Sequence, residues 1–342
     1  MIEMSGKRLF VARICILIGL FSLGRCEASS RLDNGAVAGD RYRVIVSTDI
    51  GGSDNDDFQS MVHFLIYADL FDIEGLIASP PGAGRVEHIH ESIDAYEQDY
   101  PRLLLYSNLY PTPGHLRNIA KQGAINPAPA PGYSESTEGS RWIVECARSD
   151  APRPLYVLVW GSITDVAQAV HDAPDVKPRL RVYFISSWNR SQDKAARDYL
   201  YEHHPDLWLI ESDTTFRGMY VGGDQSGDLG NRAFVEMHIR SHGALGVLFE
   251  KKLPAIKMGD TPSVLFLLAG DPDDPTGDHW GGSYVSTGHG DYYWTDRQDI
   301  ELKEGKYPGA RTVNRWRTDF LRDWQARMER LAPEGSSIRP DP

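Results

Sequence analysis

Short β-branched apolar runs alternate along this chain with stretches in which apolar residues return every three or four positions. Val44-Ile45-Val46 is the first run, and Phe58, Met61, Val62 and Leu65 follow it at helical spacing. Ile73 to Ala78 is a second run, ending in Ser79-Pro80-Pro81-Gly82, and Val86 to Tyr100 reads as helix. Strand, helix, strand is a βαβ unit. Further on, Leu155 to Trp160 reads as a buried strand, with Val166, Ala167 and Val170 as the helix after it. Arg181 to Ser186 and Leu207 to Ile210 are further strands, and helical stretches run on to Glu250. Val264 to Leu268 opens another helix, and Trp316, Phe320, Trp324 and Met328 mark the core face of a last one between Arg311 and Leu331. This alternation predicts one α/β domain over residues 42–332, Rossmann-like, with a mostly parallel sheet flanked by helices and its site outside the strands' carboxyl ends. Residues 111–133, rich in Pro, Gly, Asn and Ala, read as a surface connection, with a lid or edge segment as the other reading, and Gly270 to Asp291 as a second loop.

The chemistry gathers where the first strand meets the first helix. Asp49, Asp54, Asp56 and Asp57 lie within nine residues of one another. Carboxylates this close repel unless a cation, a proton or a helix N-terminus compensates them. Capping the helix needs only one of them, and a hard divalent cation with oxygen ligands is the simplest partner for the rest. The turn lacks the glycine and glutamate spacing of an EF-hand, the lysine of a phosphate loop, and the full dinucleotide glycine pattern. Two more strand ends carry polar groups: Gly161-Ser162-Ile163-Thr164-Asp165, and Ser187-Trp188-Asn189. The segment from Glu211 to Gly227 is dense in Asp, Arg, Tyr and Gly and reads as a functional loop. Asp260, before Thr261-Pro262, has the form of a helix N-cap. His88 and His90, two apart on one helix, do not share a face and carry little functional weight.

Strand, Asp, Gly-rich turn, Asp-Asp and helix resemble the N-terminal metal motif of the nucleoside hydrolases, which runs Asp-x-Asp-Pro-Gly-x-Asp-Asp. The longer stretch TDIGGSDNDDFQSMVHFLIYADLFDIEGLIAS, with GDTPS downstream, resembles more closely the nucleoside hydrolase-like domain of secreted proteins described as cellulose-binding. The resemblance spans about residues 43–290 and implies the nucleoside hydrolase fold. It implies a calcium ion, with magnesium less suited, held by Asp49, Asp57, Asp260 and the main-chain carbonyl of Thr164, since GSITDVA resembles the family's GPLTNLA. By the same resemblance Asp49 takes a proton from the attacking water, and Asp56 binds sugar hydroxyls. Trp188 and Asn189 stand where the family places a sugar-binding Asn; a plain turn residue is the other reading of Asn189. Where the family has a Glu-Phe-Asn ribose clamp, this chain offers Glu211 and Asp213 or, in another register, Thr215-Phe216-Arg217. Ser47 replaces the first Asp of the motif, and Gly259 stands where the family often has a His that protonates the leaving base. His279 and His289 are substitutes by residue type alone, and otherwise solvated loop residues. Trp280, Tyr284, Tyr292, Tyr293 and Trp294 either stack on a ligand or pack the loop.

Composition narrows the setting. The chain has 342 residues, 41% hydrophobic and 25% charged, ordinary for a soluble domain. Its start is basic, then apolar from Leu9 to Leu23, with Ala28 suited to cleavage, which predicts a signal peptide over residues 1–28 and a secreted or periplasmic protein. The apolar run is short for a membrane span of about twenty residues. Residues 29–41 read as a linker and 333–342 as a flexible tail. Removing residues 1–28 leaves 32 basic against 46 acidic residues, a net charge of −14. Such a surface repels nucleic acid polymers, although it admits a nucleoside. Cys146 alone remains of three cysteines, so no internal disulfide is available.

Together these readings predict a metal-dependent hydrolase of N-glycosidic bonds acting on a small-molecule or carbohydrate substrate, with oligomers allowed. The competing reading is a carbohydrate-binding or cell-envelope protein that keeps the fold with little catalysis. A phosphatase built on the same strand end fits worse, because Asp49 is followed by Ile50-Gly51 and not by x-Asp.

Overall fold

The computed structural model describes residues 41–82 and 85–333. The predicted signal peptide, most of the predicted linker and the tail from residue 334 lie outside the described residues. In chain order the elements are β1 (Tyr42–Thr48), α1 (Asp56–Ile66), β2 (Phe71–Ala78), α2 (Val86–Leu103), α3 (Pro113–Asn118), β3 (Ala120–Gln122) and α4 (Glu138–Ala147). Then come β4 (Leu155–Val159), α5 (Thr164–Asp172), β5 (Leu180–Ile185), α6 (Trp188–Gln192), α7 (Lys194–His203) and β6 (Leu209–Ser212). The chain continues through α8 (Asn231–Phe234), α9 (Gly243–Lys252), α10 (Thr261–Leu268), β7 (Tyr284–Ser286), β8 (Tyr293–Asp296), α11 (Arg311–Asn314) and α12 (Arg317–Met328).

One eight-stranded sheet runs in the order β3-β2-β1-β4-β5-β6-β8-β7, parallel throughout except for β7 against β8. The mostly parallel α/β architecture is the one the alternation predicts. Strand order reverses between β1 and β4, and in such sheets the crevice outside the carboxyl ends at that reversal is the ligand site. Val44, Ile45 and Val46 are fully buried, as strands covered on both faces require. One core cluster joins Ile45, Val157 and Val182 of the sheet to Val166 and Val170 of α5. On α1, Phe58, Met61, Val62 and Leu65 are buried as their spacing predicts. Each such side chain contributes about 1.5–3 kcal/mol by leaving water, which anchors the acidic first turn of α1 to the sheet.

Three expectations change. Residues 111–133 are not only loop, because α3 and the edge strand β3 form there, and β3 pairs with β2. The second predicted loop holds β7 and abuts β8, which extend the sheet past β6. The C-terminal helix is broken between α11 and α12. There Arg317 turns inward to donate to the carbonyls of Met219, Asp224 and Leu229, while Phe320, Trp324 and Met328 still face the core. Cys146 is buried and free.

Candidate metal centre and active site

A cavity of about 220 Å³ opens outside the ends of β1, β4, β5 and β6. Its acidic wall is built by the loop after β1, the first turn of α1 and the first residue before α10. Asp49, Asp54, Asp56, Asp57 and Asp260 all line it. Carboxylate oxygens of Asp56, Asp57 and Asp260 lie within 4.8 Å of one another. Asp49 is not one of these three but lines the same cavity, buried beside them. Gly161, after β4, packs so closely on this residue that a Cβ there would stand 2.8 Å from the Asp49 amide nitrogen.

Capping does not account for these side chains. Asp54 alone caps locally, its Oδ1 accepting from the Asp56 amide at 3.0 Å. Asp260 occupies the N-cap position of α10 but makes no side-chain capping bond; its carboxylate accepts from Ser60 Oγ at 3.4 Å instead. Asp57 accepts from the Thr48 hydroxyl at the end of β1. Lys257 reaches Asp54 at 2.5 Å and Asp56 at 3.6 Å, at the edge of the group. Burial pushes the Asp49 carboxyl up to about 7, aided by the charge of Asp54 and opposed by its bond to Asp57. Asp57 and Asp260 are raised well above the usual carboxylate range, first by burial and then by neighbouring carboxylates. Three buried acids that cannot share ionisation without a counter-charge, all offering hard oxygen donors, fit a divalent cation of the calcium type.

The other wall carries Trp160, Ser187, Trp188, Asn189, Phe216, Arg217 and Tyr220. Asn189 is buried, its amide donating to the carbonyls of Trp160 (2.7 Å) and Ile185 (3.0 Å). Trp188 is 57% exposed at the lip. Arg217 donates to the hydroxyls of Tyr220 (2.9 Å) and Ser187 (3.0 Å).

The structure thus brings together Asp49, Asp56, Asp57, Asp260, Trp188 and Asn189, and sets three other sequence candidates apart. Glu211 is not in the cavity. It is buried in an ion-pair network with Arg190 and Arg197 and accepts from Ser186 and Tyr293. Burial works to raise its carboxyl, but these bonds outweigh it and hold it below the ordinary value. Asp213 accepts from the Ser187 amide (3.0 Å) and pairs with Arg190 (2.9 Å), so it braces the lip and does not line the cavity. The Thr164 hydroxyl donates to Asp193 at 2.7 Å; the atom expected on the metal is its main-chain carbonyl, which that bond does not engage, and Trp160 is the residue after β4 that lines the cavity. The neighbouring Asp165 binds the Ala124 amide and the Thr137 hydroxyl. His279 is no solvated loop residue, since it is buried, stacked on Phe266 and bonded to Asp274 O. His289 stacks on Tyr201. Trp280, Tyr284 and Tyr293 are buried packing residues. Lys257 was silent in the sequence, whereas Phe216, Arg217 and Tyr220 sit in the loop whose composition marked it as functional.

With its carboxylate-lined cavity at the reversal of a mostly parallel sheet, the chain is a nucleoside hydrolase-like protein. The chain belongs to the family described as cellulose-binding Sde182, nucleoside hydrolase-like domain, whose model matches residues 43–284. It is similar to a nucleoside hydrolase-related protein from Saccharophagus degradans that is associated with carbohydrate metabolism, at 28% identity over 85% of this chain and 72% of that one, with a TM-score of 0.68. An inosine-uridine preferring nucleoside hydrolase from Bacillus anthracis shares the fold at 13% identity, covering 84% of this chain and 99% of that one, with a TM-score of 0.51. So does the type III effector XopQ, solved with adenosine diphosphate ribose, at 12% identity, 85% and 94% coverage and a TM-score of 0.51. Comparison with curated proteins gives no match.

Proposed function

We propose that this chain is an exported, calcium-dependent hydrolase of N-glycosidic bonds, acting on nucleosides or related ribosyl compounds. The observation that carries this reading is the convergence of Asp49, Asp57 and Asp260, all buried and all raised in pKa, on one cavity. A divalent cation bound by them supplies the charge that lowers the pKa of a nearby water and orients it. Calcium suits this all-oxygen donor set better than magnesium, which dehydrates reluctantly and demands octahedral geometry.

Asp49, whose carboxylate faces the cavity, would take the water's proton. Thr48 and Ser60 hold Asp57 and Asp260 in place through their hydroxyls. Asp56 stands beside them, braced by Lys257 and by the Gly259 amide at 3.3 Å, where it accepts from sugar hydroxyls. As the glycosidic bond breaks, the sugar ring gains positive character, and these carboxylates favour that state over the neutral substrate. Export rests on residues 1–28 and on the family's cellulose-binding description.

Leaving-group protonation is the weak point of this machinery. A Cβ on Gly259 would stand 2.7 Å from Asp56 Oδ2, so the close approach of Asp56 occupies the space a histidine would need. Among the described residues, no histidine lines the cavity. Substrates whose leaving group departs unprotonated are therefore the better ones.

One observation favours the second reading, a sugar-binding protein of the same fold with little catalysis: Glu211 is locked in its ion pairs and lies outside the cavity lining. The test is to incubate the purified protein and Asp49→Ala with calcium, a nucleoside panel and nitrophenyl riboside, and to measure released sugar. Calcium-dependent release, fastest for nitrophenyl riboside and lost in the variant, supports hydrolysis. No release, with soluble glycans retained on an affinity gel, supports the binding protein.

A further inference from the structure

Arg217 is fixed in place but unpaired in charge. Its guanidinium lies 4.9 Å from the centre of the Phe216 ring and 5.0 Å from that of Tyr307. Its two protein acceptors are neutral hydroxyls, Tyr220 and Ser187. A guanidinium has five N–H donors, so these two bonds leave three unspent, and the Nε among them is buried without a partner. No ion pair joins Arg217 to a carboxylate among the described residues.

Arginines that serve the fold look different here. Arg317 spends its donors on the Met219, Asp224 and Leu229 carbonyls and on Asn231. Arg197 grips Glu211. The support of Arg217 is also built at a cost: Ser187 holds φ of 51°, an unfavourable region for serine, and the Asp213 carboxylate pins its amide there. The Phe216 ring reaches within 3.6 Å of where a Gly259 Cβ would stand. It therefore packs beside Gly259, whose amide bonds Asp56, while the guanidinium lies over its ring.

We propose that Arg217 receives an oxyanion on the substrate, a carboxylate or a phosphate, so the cavity takes an anionic sugar derivative in preference to a neutral one. This rests on the reading of the cavity as a sugar site, and not on catalysis. Planar, weakly hydrated and always charged, a guanidinium satisfies its remaining donors best with an oxyanion. At about 220 Å³ the cavity is smaller than the roughly 300–1,000 Å³ of sites for drug-sized ligands, which suits one sugar unit and its charged group.

The test is calorimetric titration of the full chain with calcium, using ribose against ribose 5-phosphate and glucose against glucuronate. In at least one pair the anionic member binds roughly tenfold or more tightly, since hydrogen bonds to charged groups exceed neutral ones by about that factor. The pair that shows it identifies phosphate or carboxylate. The preference shrinks with added salt, collapses in Arg217→Gln and survives in part in Arg217→Lys. Equal binding of neutral and anionic sugars, no binding of any of the four, or a preference that persists in Arg217→Gln because the metal supplies it, overturns the proposal. Should Arg217→Gln not fold, the wild-type pairs and Arg217→Lys decide. Because the readout is binding, an anion preference without hydrolysis would sink only the hydrolase reading, and hydrolysis without the preference only this one.

Discussion

Stripping metal from the protein and raising the pH destabilises it, and the structure sets the size of the effect. Asp49 titrates at about 7 in the folded state against 3.8 for an ordinary Asp, chiefly because it is buried. Between those values the folded chain binds more protons than the unfolded one, so stability is full below about pH 4 and is lost as the pH rises through 7. A shift of about 3 units at roughly 1.4 kcal/mol each amounts to about 4 kcal/mol. At roughly 2–4 °C per kcal/mol for a domain of this size, the Tm of the chelated protein drops by about 8–16 °C across that range. Asp57 and Asp260, raised for the same reason, steepen the fall. A cation among the carboxylates removes the repulsion, so calcium restores the Tm near pH 7.5 and adds little near pH 4.5. Melting curves in chelator and in calcium at both pH values, for wild type and Asp49→Asn, measure this directly. Without the titrating carboxylate, chelated Asp49→Asn has the shallower pH dependence and exceeds wild type near pH 7.5. A chelated wild type whose Tm is flat with pH, or a variant with the same slope, would refute the argument that burial and repulsion strain this site.

Other variants separate roles within the cavity and around it. Glu211→Gln takes the carboxylate from half-buried Arg197 and costs about 1.5–3 kcal/mol in urea unfolding while calcium affinity holds; normal stability with lost sugar binding would return Glu211 to the site. Trp188→Ala, at the exposed lip, raises KM with an unchanged Tm, and an unchanged KM would remove Trp188 from substrate contact. Gly259→His pushes Asp56 aside and weakens sugar binding measured by titration in calcium; unaltered binding would show that Asp56 tolerates displacement or does not hold the sugar.

What could be read from the sequence was what is local in the sequence. The acidic turn, the first βαβ unit and Asp260 before Thr-Pro announce themselves within a few residues, and the sheet order turns them toward one crevice. Strand-end position alone does not say which way a side chain points. Glu211 and Asp213 sit at the end of β6, yet Arg190 and Arg197, 14 to 23 positions earlier, draw them away from the cavity. The Thr164 hydroxyl donates to Asp193, a contact across 29 residues that the local sequence does not announce. β7 and β8 span only three and four residues inside a glycine-rich stretch, too short for a period to emerge. Lys257 enters the site through an irregular segment before α10 and carries no motif.

A metal-dependent hydrolytic site in the carboxylate cavity ties sugar release to metal occupancy. One titration tests it: calcium added stepwise to the chelated protein, with bound calcium and sugar released from nitrophenyl riboside followed in the same samples. The account predicts that binding and release rise together with a shared midpoint, and that both vanish in Asp260→Asn. Calcium bound at Asp260 with no release from any ribosyl compound, or release that ignores calcium, would contradict it.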